Sequence, residues 1–129
     1  MVQLSLAVVG ADHPNKDKSN RRFEILLCRP GERIDLVPEP KNPADPQAVA
    51  VFSERGVQIG YVRADRAPLI RTYLARGRIT SSIFQEAASW GANIRVGLDG
   101  EEAVLPEQRD ISAASDDSGF YPDYIPPDD

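Results

Sequence analysis

Apolar and polar residues alternate over several short stretches of the chain, a pattern typical of half-buried β-strands. Alternation and short apolar runs predict six strands, at residues 3–9, 33–37, 48–52, 58–62, 79–87 and 93–98. Residues 53–56 (Ser-Glu-Arg-Gly) predict a turn that joins the third and fourth strands into a β-hairpin. Residues 89–91 separate the last two strands, and Trp90, beside Gly91, is more typical of a core residue than of a stacking ring.

The segment after residue 19 predicts the first of two helices. Asn20 is a good N-cap, and Phe23, Leu26 and Leu27 follow the helical spacing i, i+3, i+4 of a core-facing stripe. Pro30 ends this helix. A strand through residues 23–27 is the alternative.

The second predicted helix covers residues 64–76 and follows the hairpin. Asp65 falls in its first turn, where a carboxylate is favourable, and Gly77 closes it. Its apolar stripe consists of Leu69, Ile70, Tyr73 and Leu74. Six short strands with two helices predict an α+β domain built on a small antiparallel barrel or a strongly bent sheet.

The charges divide the 129-residue chain into a basic body and an acidic tail. Residues 1–100 carry a formal charge of +3 and residues 101–129 carry −8, which together give the net −5. We therefore expect one domain at 1–100 and an acidic, largely disordered tail at 101–129. An aromatic cluster lies in the tail, and it is interpreted either as solvated chain or as a short docking motif: Phe120, Tyr121, Tyr124 and Ile125.

Candidate chemistry is sparse. The single cysteine, Cys28, has no partner for an internal disulfide, and with the single His13 it cannot supply a four-ligand zinc site. His13 lies in a polar loop without a nucleophile beside it, and the sequence has no phosphate-binding or dinucleotide-binding motif. These observations predict a non-enzymatic protein without metal or cofactor. The lone cysteine and the lack of a signal sequence or membrane-spanning run favour a cytoplasmic location.

The most informative segment is a proline-rich loop followed by the hairpin. Residues 39–51 run Glu-Pro-Lys-Asn-Pro-Ala-Asp-Pro-Gln-Ala-Val-Ala-Val, and residues 56–62 run Gly-Val-Gln-Ile-Gly-Tyr-Val. This arrangement resembles the HIRAN domain family, with its Glu-Pro, its Asn-Pro-Tyr-Asp-Pro-Asn-Ala-Val-like loop and its hairpin ending in Ile-Gly-Tyr-Val. The resemblance covers about residues 4 to 98, and the chain looks like a stand-alone bacterial member.

The resemblance implies a fold and a function. The fold is an antiparallel, six-stranded, OB-like β-barrel with two helices, and the function is to bind DNA by holding a single strand at its 3′ end. In the family the loop aspartate accepts a hydrogen bond from the terminal 3′-hydroxyl, and Asp45 occupies this position with Asn42 beside it. A carboxylate suits this role because it accepts from a free hydroxyl and repels a phosphorylated end. The alternative is that Asn42 and Asp45 only fix the loop by bonding to neighbouring backbone N–H groups.

Two departures from the family pattern change the expected contacts. Ala44 replaces the loop tyrosine that stacks on a base, and Asp12-His13 replaces an Arg-Tyr pair after the first strand. Stacking contributes about 1–3 kcal/mol per base, so weak or altered end recognition is expected. The ring of His13 is a partial substitute.

The other predicted DNA contacts come from the hairpin end and from basic residues. Tyr61 offers a ring and Arg63 a phosphate contact, while Lys41, Arg21 and Arg22 extend a basic rim. Alternatively, Tyr61 packs against the barrel and Arg63 is an ordinary surface residue.

Two functional hypotheses follow. The first is a non-catalytic module that recognises single-stranded DNA or a 3′-hydroxyl end in repair or replication-fork processing, with a helicase or nuclease as partner. The second is a protein-interaction adaptor that uses the barrel or the aromatic-acidic tail. A linked hypothesis is that the −8 tail competes with DNA for the +3 body.

Overall fold

The computed structural model describes residues 2–106. Six strands form one antiparallel sheet in the order β2-β3-β4-β1-β6-β5. Their bounds are Val2–Val9 (β1), Asp35–Pro38 (β2), Val49–Phe52 (β3), Gln58–Val62 (β4), Ile79–Ala88 (β5) and Gly91–Leu98 (β6). The helices are Arg21–Leu27 (α1), between β1 and β2, and Ala67–Ala75 (α2), between β4 and β5. The predicted hairpin is confirmed as β3 and β4.

The sheet curls until its two outer strands are joined by the segment that precedes β2. Arg33 forms a β-bridge with Ile83 of β5. Gly31 N donates to Phe84 O at 2.8 Å, and Phe84 N donates to Glu32 O at 2.8 Å. The prediction of a six-stranded, OB-like barrel with two helices is thereby confirmed.

The core fills the inside of this barrel and extends beneath both helices. β3 contributes a continuous buried run, Val49, Ala50 and Val51, because both of its faces are covered. The largest fully buried side chains are Phe84, Ile59, Ile70, Ile94 and Leu98.

Helix α1 is present as predicted, but it buries the opposite face. Asn20 caps it, with Oδ1 accepting from Phe23 N at 2.8 Å, so the alternative of a strand is wrong. The predicted stripe of Phe23, Leu26 and Leu27 is exposed. The buried residues at the same helical spacing are Arg21, Glu24, Ile25 and Cys28.

Hydrogen bonds explain why polar side chains of α1 are the buried ones. Glu24 Oε2 accepts from Ser53 Oγ at 2.7 Å and from Arg55 Nε at 2.6 Å. Arg55 also reaches Glu32 at 3.3 Å, so one guanidinium joins α1, the hairpin turn and the segment before β2. Buried polar groups are tolerated when they are paired in this way.

Helix α2 begins three residues later than predicted. Asp65 precedes the helix and pairs with Arg63 at 3.3 Å. Pro68 occupies the first turn, where its missing N–H costs nothing. Of the predicted stripe, Ile70 is fully buried and Leu69 lies at the surface.

Trp90 was wrongly expected in the core. Its side chain is half exposed in the two-residue turn between β5 and β6, and Nε1 donates to Ala92 O at 3.2 Å. Because the indole N–H already has this acceptor in the turn, the ring remains directed towards solvent.

Residues 101–106 continue beyond β6 along the barrel surface. Ala103 N donates to Ser81 Oγ, and Val104 N donates to Gln3 Oε1. The predicted acidic tail lies outside the described residues from 107 onward. Within 2–106, no helix is long and apolar enough to cross a membrane.

Candidate functional site

A groove lies between two loops at the end of the barrel where β1 stops. Its volume is about 830 Å³. One wall is residues 14–17, from the loop after β1, and the other is residues 39–43, from the loop between β2 and β3. Arg21, Phe52, Gln58 and Tyr61 lie between these walls. We call this feature the loop groove.

The second wall is held by side-chain bonds to its own backbone. Asn42 Oδ1 accepts from Ala44 N at 2.9 Å and from Asp45 N at 3.2 Å. Asp45 Oδ1 accepts from Gln47 N at 2.9 Å. Together with the prolines of the segment, these turns give a loop with little conformational freedom. Asn42 and Asp45 therefore have the loop-fixing role that was the alternative for them.

Tyr61 is fixed in the groove from two sides. Its hydroxyl donates to Glu39 Oε1 at 2.9 Å, and Asn42 Nδ2 donates to the same oxygen at 3.0 Å. The guanidinium of Arg21 lies 5.6 Å from the ring centroid. Within residues 2–106 no donor bonds to Glu39 Oε2, which leaves this oxygen as an acceptor at the groove wall.

Arg21 is a structural cation and does not belong to an exposed basic rim. It is buried, with Nη1 donating to Gly10 O at 2.8 Å and Nε donating to Asn15 Oδ1 at 2.7 Å. Asn15 Nδ2 in turn donates to Gln58 O at 2.9 Å, so the first wall is tied to β4.

Arg22 likewise has partners within the protein. It pairs with Asp12 at 2.6 Å and donates to Ser89 O at 3.1 Å. The hydrogen bond and charge of Arg22 lower the pKa of Asp12 below its usual value. The burial of Arg21 thus excludes it from an exposed basic rim, whereas the side chain of Arg22 is 42% exposed and its place in such a rim stays a prediction.

The structure brings three of the six predicted DNA contacts into the groove. Lys41, Asn42 and Tyr61 line it. His13 lies at its margin: a Cβ added at Gly10 would be 3.9 Å from His13 Cδ2 and 4.0 Å from Tyr61 Cδ2.

The other two predicted contacts do not line the groove. Asp45 lies two residues past its wall, and Arg63 follows β4 and pairs with Asp65. Sequence reasoning missed Lys16 and Glu39, which do line it. Glu39 begins the motif that carries the family resemblance, so its position was a usable signal, whereas Lys16 lies in a loop without a recognisable pattern.

The charges of the groove are mixed. Lys16 and Lys41 lie on opposite walls, while Asp17 and Glu39 supply carboxylates. Hydrogen bonds from Ser19 lower the pKa of Asp17, so that carboxylate is ionised at neutral pH. The groove offers an aromatic ring, two lysines and a carboxylate oxygen that has no donor among residues 2–106. Such groups suit an extended anionic chain that also carries a hydroxyl group. Within residues 2–106, no group of three or more His, Cys, Asp or Glu side chains is placed to hold a metal ion.

Comparison with known proteins assigns this architecture. The sequence profile of the HIRAN domain matches residues 14–97, nearly two thirds of the chain. The chain belongs to the HIRAN domain family. The matched span contains both walls of the groove and Tyr61, and it begins one residue after His13.

Two solved structures share the HIRAN fold. The HIRAN domain of human HLTF superposes with a TM-score of 0.59 at 17% identity, covering 84% of this chain and 80% of that one. A protein from Lactobacillus plantarum superposes with a TM-score of 0.59 at 19% identity, covering 75% of this chain and 91% of that one. No curated protein sequence matches the chain.

Proposed function

We propose that this HIRAN domain is a non-catalytic DNA-binding module that recognises single-stranded DNA or a 3′-hydroxyl end in the loop groove. The observation that carries the proposal is the position of Tyr61, whose ring lies between walls that each contribute a lysine. Base stacking on one aromatic ring contributes about 1–3 kcal/mol, and lysines that follow the backbone add a salt-dependent attraction. Membership of the HIRAN domain family, which is implied to bind DNA, supports the same proposal.

The groove favours a single strand over a duplex. Its walls are two loops, and Tyr61 is held between them by Glu39 and Arg21. A ring that needs no reordering binds with a smaller entropy cost. An unpaired base can stack there, whereas the bases of a duplex have no free face.

End recognition is assigned to a carboxylate. The family resemblance assigns it to Asp45, and the groove adds Glu39, whose Oε2 has no donor within the described residues. Either group accepts from a 3′-hydroxyl and repels a 3′-phosphate. Amide substitutions distinguish the two carboxylates. Asparagine at position 45 or glutamine at position 39 removes the negative charge but retains the side-chain oxygen that accepts a hydrogen bond within the protein.

Fluorescence polarisation with two labelled oligonucleotides of one sequence, ending in 3′-hydroxyl or 3′-phosphate, tests the proposal at about 50 mM salt. We expect the hydroxyl end to bind about fivefold or more tightly, which corresponds to about 1 kcal/mol. Asp45→Asn abolishes this preference if Asp45 reads the end, and Glu39→Gln abolishes it if Glu39 does.

Asp99→Asn is the charge-matched control, because Asp99 is exposed and follows β6 at the opposite end of β1. It should keep the preference of the native chain. Equal affinity of the native chain for both ends would refute end recognition, and no binding to either oligonucleotide would refute the DNA function altogether.

A cellular role is part of the same proposal. A module of this kind acts in the cytoplasm during DNA repair or replication-fork processing, where it delivers a helicase or nuclease to a strand end. An interaction adaptor is the second candidate function. It is favoured by one observation, the exposed apolar side chains of α1.

A further inference from the structure

Helix α1 presents an apolar face that cannot turn inward. Phe23, Leu26 and Leu27 are 61%, 75% and 46% exposed. The opposite side of the helix is fixed by the bonds of Arg21 and by those of Glu24 to Ser53 and Arg55. Scattered apolar residues are ordinary on a surface, but three large ones on a helix of seven residues form a contiguous patch.

The surroundings of the patch are apolar and, apart from Asp12 beside Arg22, basic. Arg22 donates to Ser89 O, which brings the half-exposed Trp90 alongside the N-terminal end of α1. Arg29 follows the helix and is exposed, as is Lys18 in the preceding loop. We call Phe23, Leu26, Leu27 and Trp90 the α1 face.

The chain itself contains a segment with complementary chemistry. Residues 107–129, outside the described range, carry one arginine against seven acidic residues, a formal charge of −6. Apart from Ile111, its large apolar residues are close to one another in the sequence: Phe120, Tyr121, Tyr124 and Ile125. An acidic segment with clustered aromatic residues matches an apolar face bordered by cations.

Covalent connection makes this occupant more favourable than a separate partner of the same composition. Residues 107–119 connect the described body to the aromatic cluster and can span about 40 Å at about 3.3 Å per residue. The body ends beside Gln3 and Ser81, and the length of β1 separates that end from α1 by about 25 Å. A segment joined over such a distance has an effective concentration near the millimolar range, so even a weak contact is populated.

We propose that residues 120–125 of the same chain pack on the α1 face. The contact buries the aromatic rings against Phe23, Leu26 and Leu27 and places the acidic flanks beside Lys18 and Arg29. It is independent of the DNA proposal, because the α1 face and the loop groove use different residues.

Disulfide trapping in the full chain tests the contact. Leu26→Cys combined with Tyr124→Cys should form an intramolecular disulfide about tenfold or more faster than Thr72→Cys combined with Tyr124→Cys. Thr72 is the control because it is exposed on the other helix. Cys28 does not compete, since burial raises the pKa of its thiol to about 11.

Equal rates in the two double variants would overturn the proposal. A disulfide that links two chains would also overturn it, in favour of a second copy as the occupant. A monomeric disulfide mapped to positions 26 and 124 supports it.

A second measurement uses Trp90, the only tryptophan of the chain. Replacing Phe120→Ser together with Tyr124→Ser should increase acrylamide quenching of its fluorescence, because the ring loses its cover. Ile111→Ser is the matched control in the same stretch of chain and should leave quenching unchanged. Quenching that does not increase in the double variant would overturn the proposal.

Discussion

Two buried charged residues of α1 connect the helix to different regions of the domain. Arg21 holds the loop after β1 and lies beside the ring of Tyr61, while Glu24 holds the hairpin turn through Ser53 and Arg55. Each charge has at least two partners, which offsets much of the cost of removing it from water. A single residue of this kind therefore positions a loop as well as stabilising a helix.

Cys28 gives a prediction at the same scale. Burial raises its pKa from 9.0 to about 11, so at about pH 8 the folded protein holds about 100-fold less thiolate than the unfolded chain. Alkylation by iodoacetamide should be slower by at least that factor in the native protein than in urea. A native rate within about tenfold of the denatured rate would contradict the assigned burial.

The raised pKa of Cys28 also makes the free energy of unfolding depend on pH. The folded state favours the neutral thiol, so the stabilising contribution is complete below pH 9.0, the ordinary value. It is lost as the pH rises towards about 11, because the unfolded thiol ionises first.

Residue-level burial was the aspect of the fold least predictable from the sequence. Arg21 and Glu24 are charged residues of the kind that usually lies on the solvated face of a helix. The partners of Glu24, Ser53 and Arg55, lie 29 and 31 residues further along the chain. The exposure of Trp90 depends in the same way on the tight turn between β5 and β6. Hydrophobic periodicity identifies a helix, but it cannot reveal which polar side chains will find buried partners.

The end of β1 is held between two glycines. A Cβ at Gly60 of β4 would overlap Val9 O and lie 2.9 Å from Val8 Cγ1, and a Cβ at Gly91 would overlap Val8 O. Both glycines have positive φ, +153° and +142°. This close approach of the backbones lies directly before the loop that forms the first wall of the groove, so Gly60 has a structural role next to Tyr61, which lines the groove.

Gly60→Ala should destabilise the protein by about 2 kcal/mol or more, since both the backbone conformation and the contact with β1 resist a side chain. Urea unfolding followed by circular dichroism measures the change. Gly56→Ala is the control: it also has positive φ, at +80°, but it faces open space and should cost only about 1 kcal/mol. Similar losses in the two variants would argue against a close approach at Gly60.

Most elements were predictable because local signals agreed with the fold. The hairpin had a turn at residues 53–56 between two apolar strands, and α1 had its cap at Asn20. The start of α2 was misplaced because Asp65 pairs with Arg63 instead of supporting the first turn. At the site, the motif predicted Lys41, Asn42 and Tyr61, whereas Lys16 enters the groove only through the tertiary path of its loop.

The charge distribution of the whole molecule determines how strongly it attracts a polyanion such as DNA. The net charge is −5, and Lys16 and Lys41 are the lysines that line the groove among the described residues. Few phosphate contacts imply a shallow dependence of affinity on salt, because each contact to a single strand changes the logarithmic slope by about 0.7.

Lys41→Ala should therefore weaken binding of a single-stranded oligonucleotide and reduce the slope of log affinity against log salt by about 0.7. Arg76→Ala removes an equal charge from the exposed end of α2 and should leave the slope unchanged. A salt titration by fluorescence polarisation measures both. Identical slopes in the two variants would place the DNA elsewhere than in the loop groove.

The position of β1 affects how the chain reaches this structure. Its seven paired residues with β6 join residues 2–8 to residues 92–98, so this one ladder closes almost the entire domain. Contacts of such long sequence separation slow folding, because a large loop must close before they form. During synthesis the first strand must wait, unpaired along that edge, until the last strand has left the ribosome.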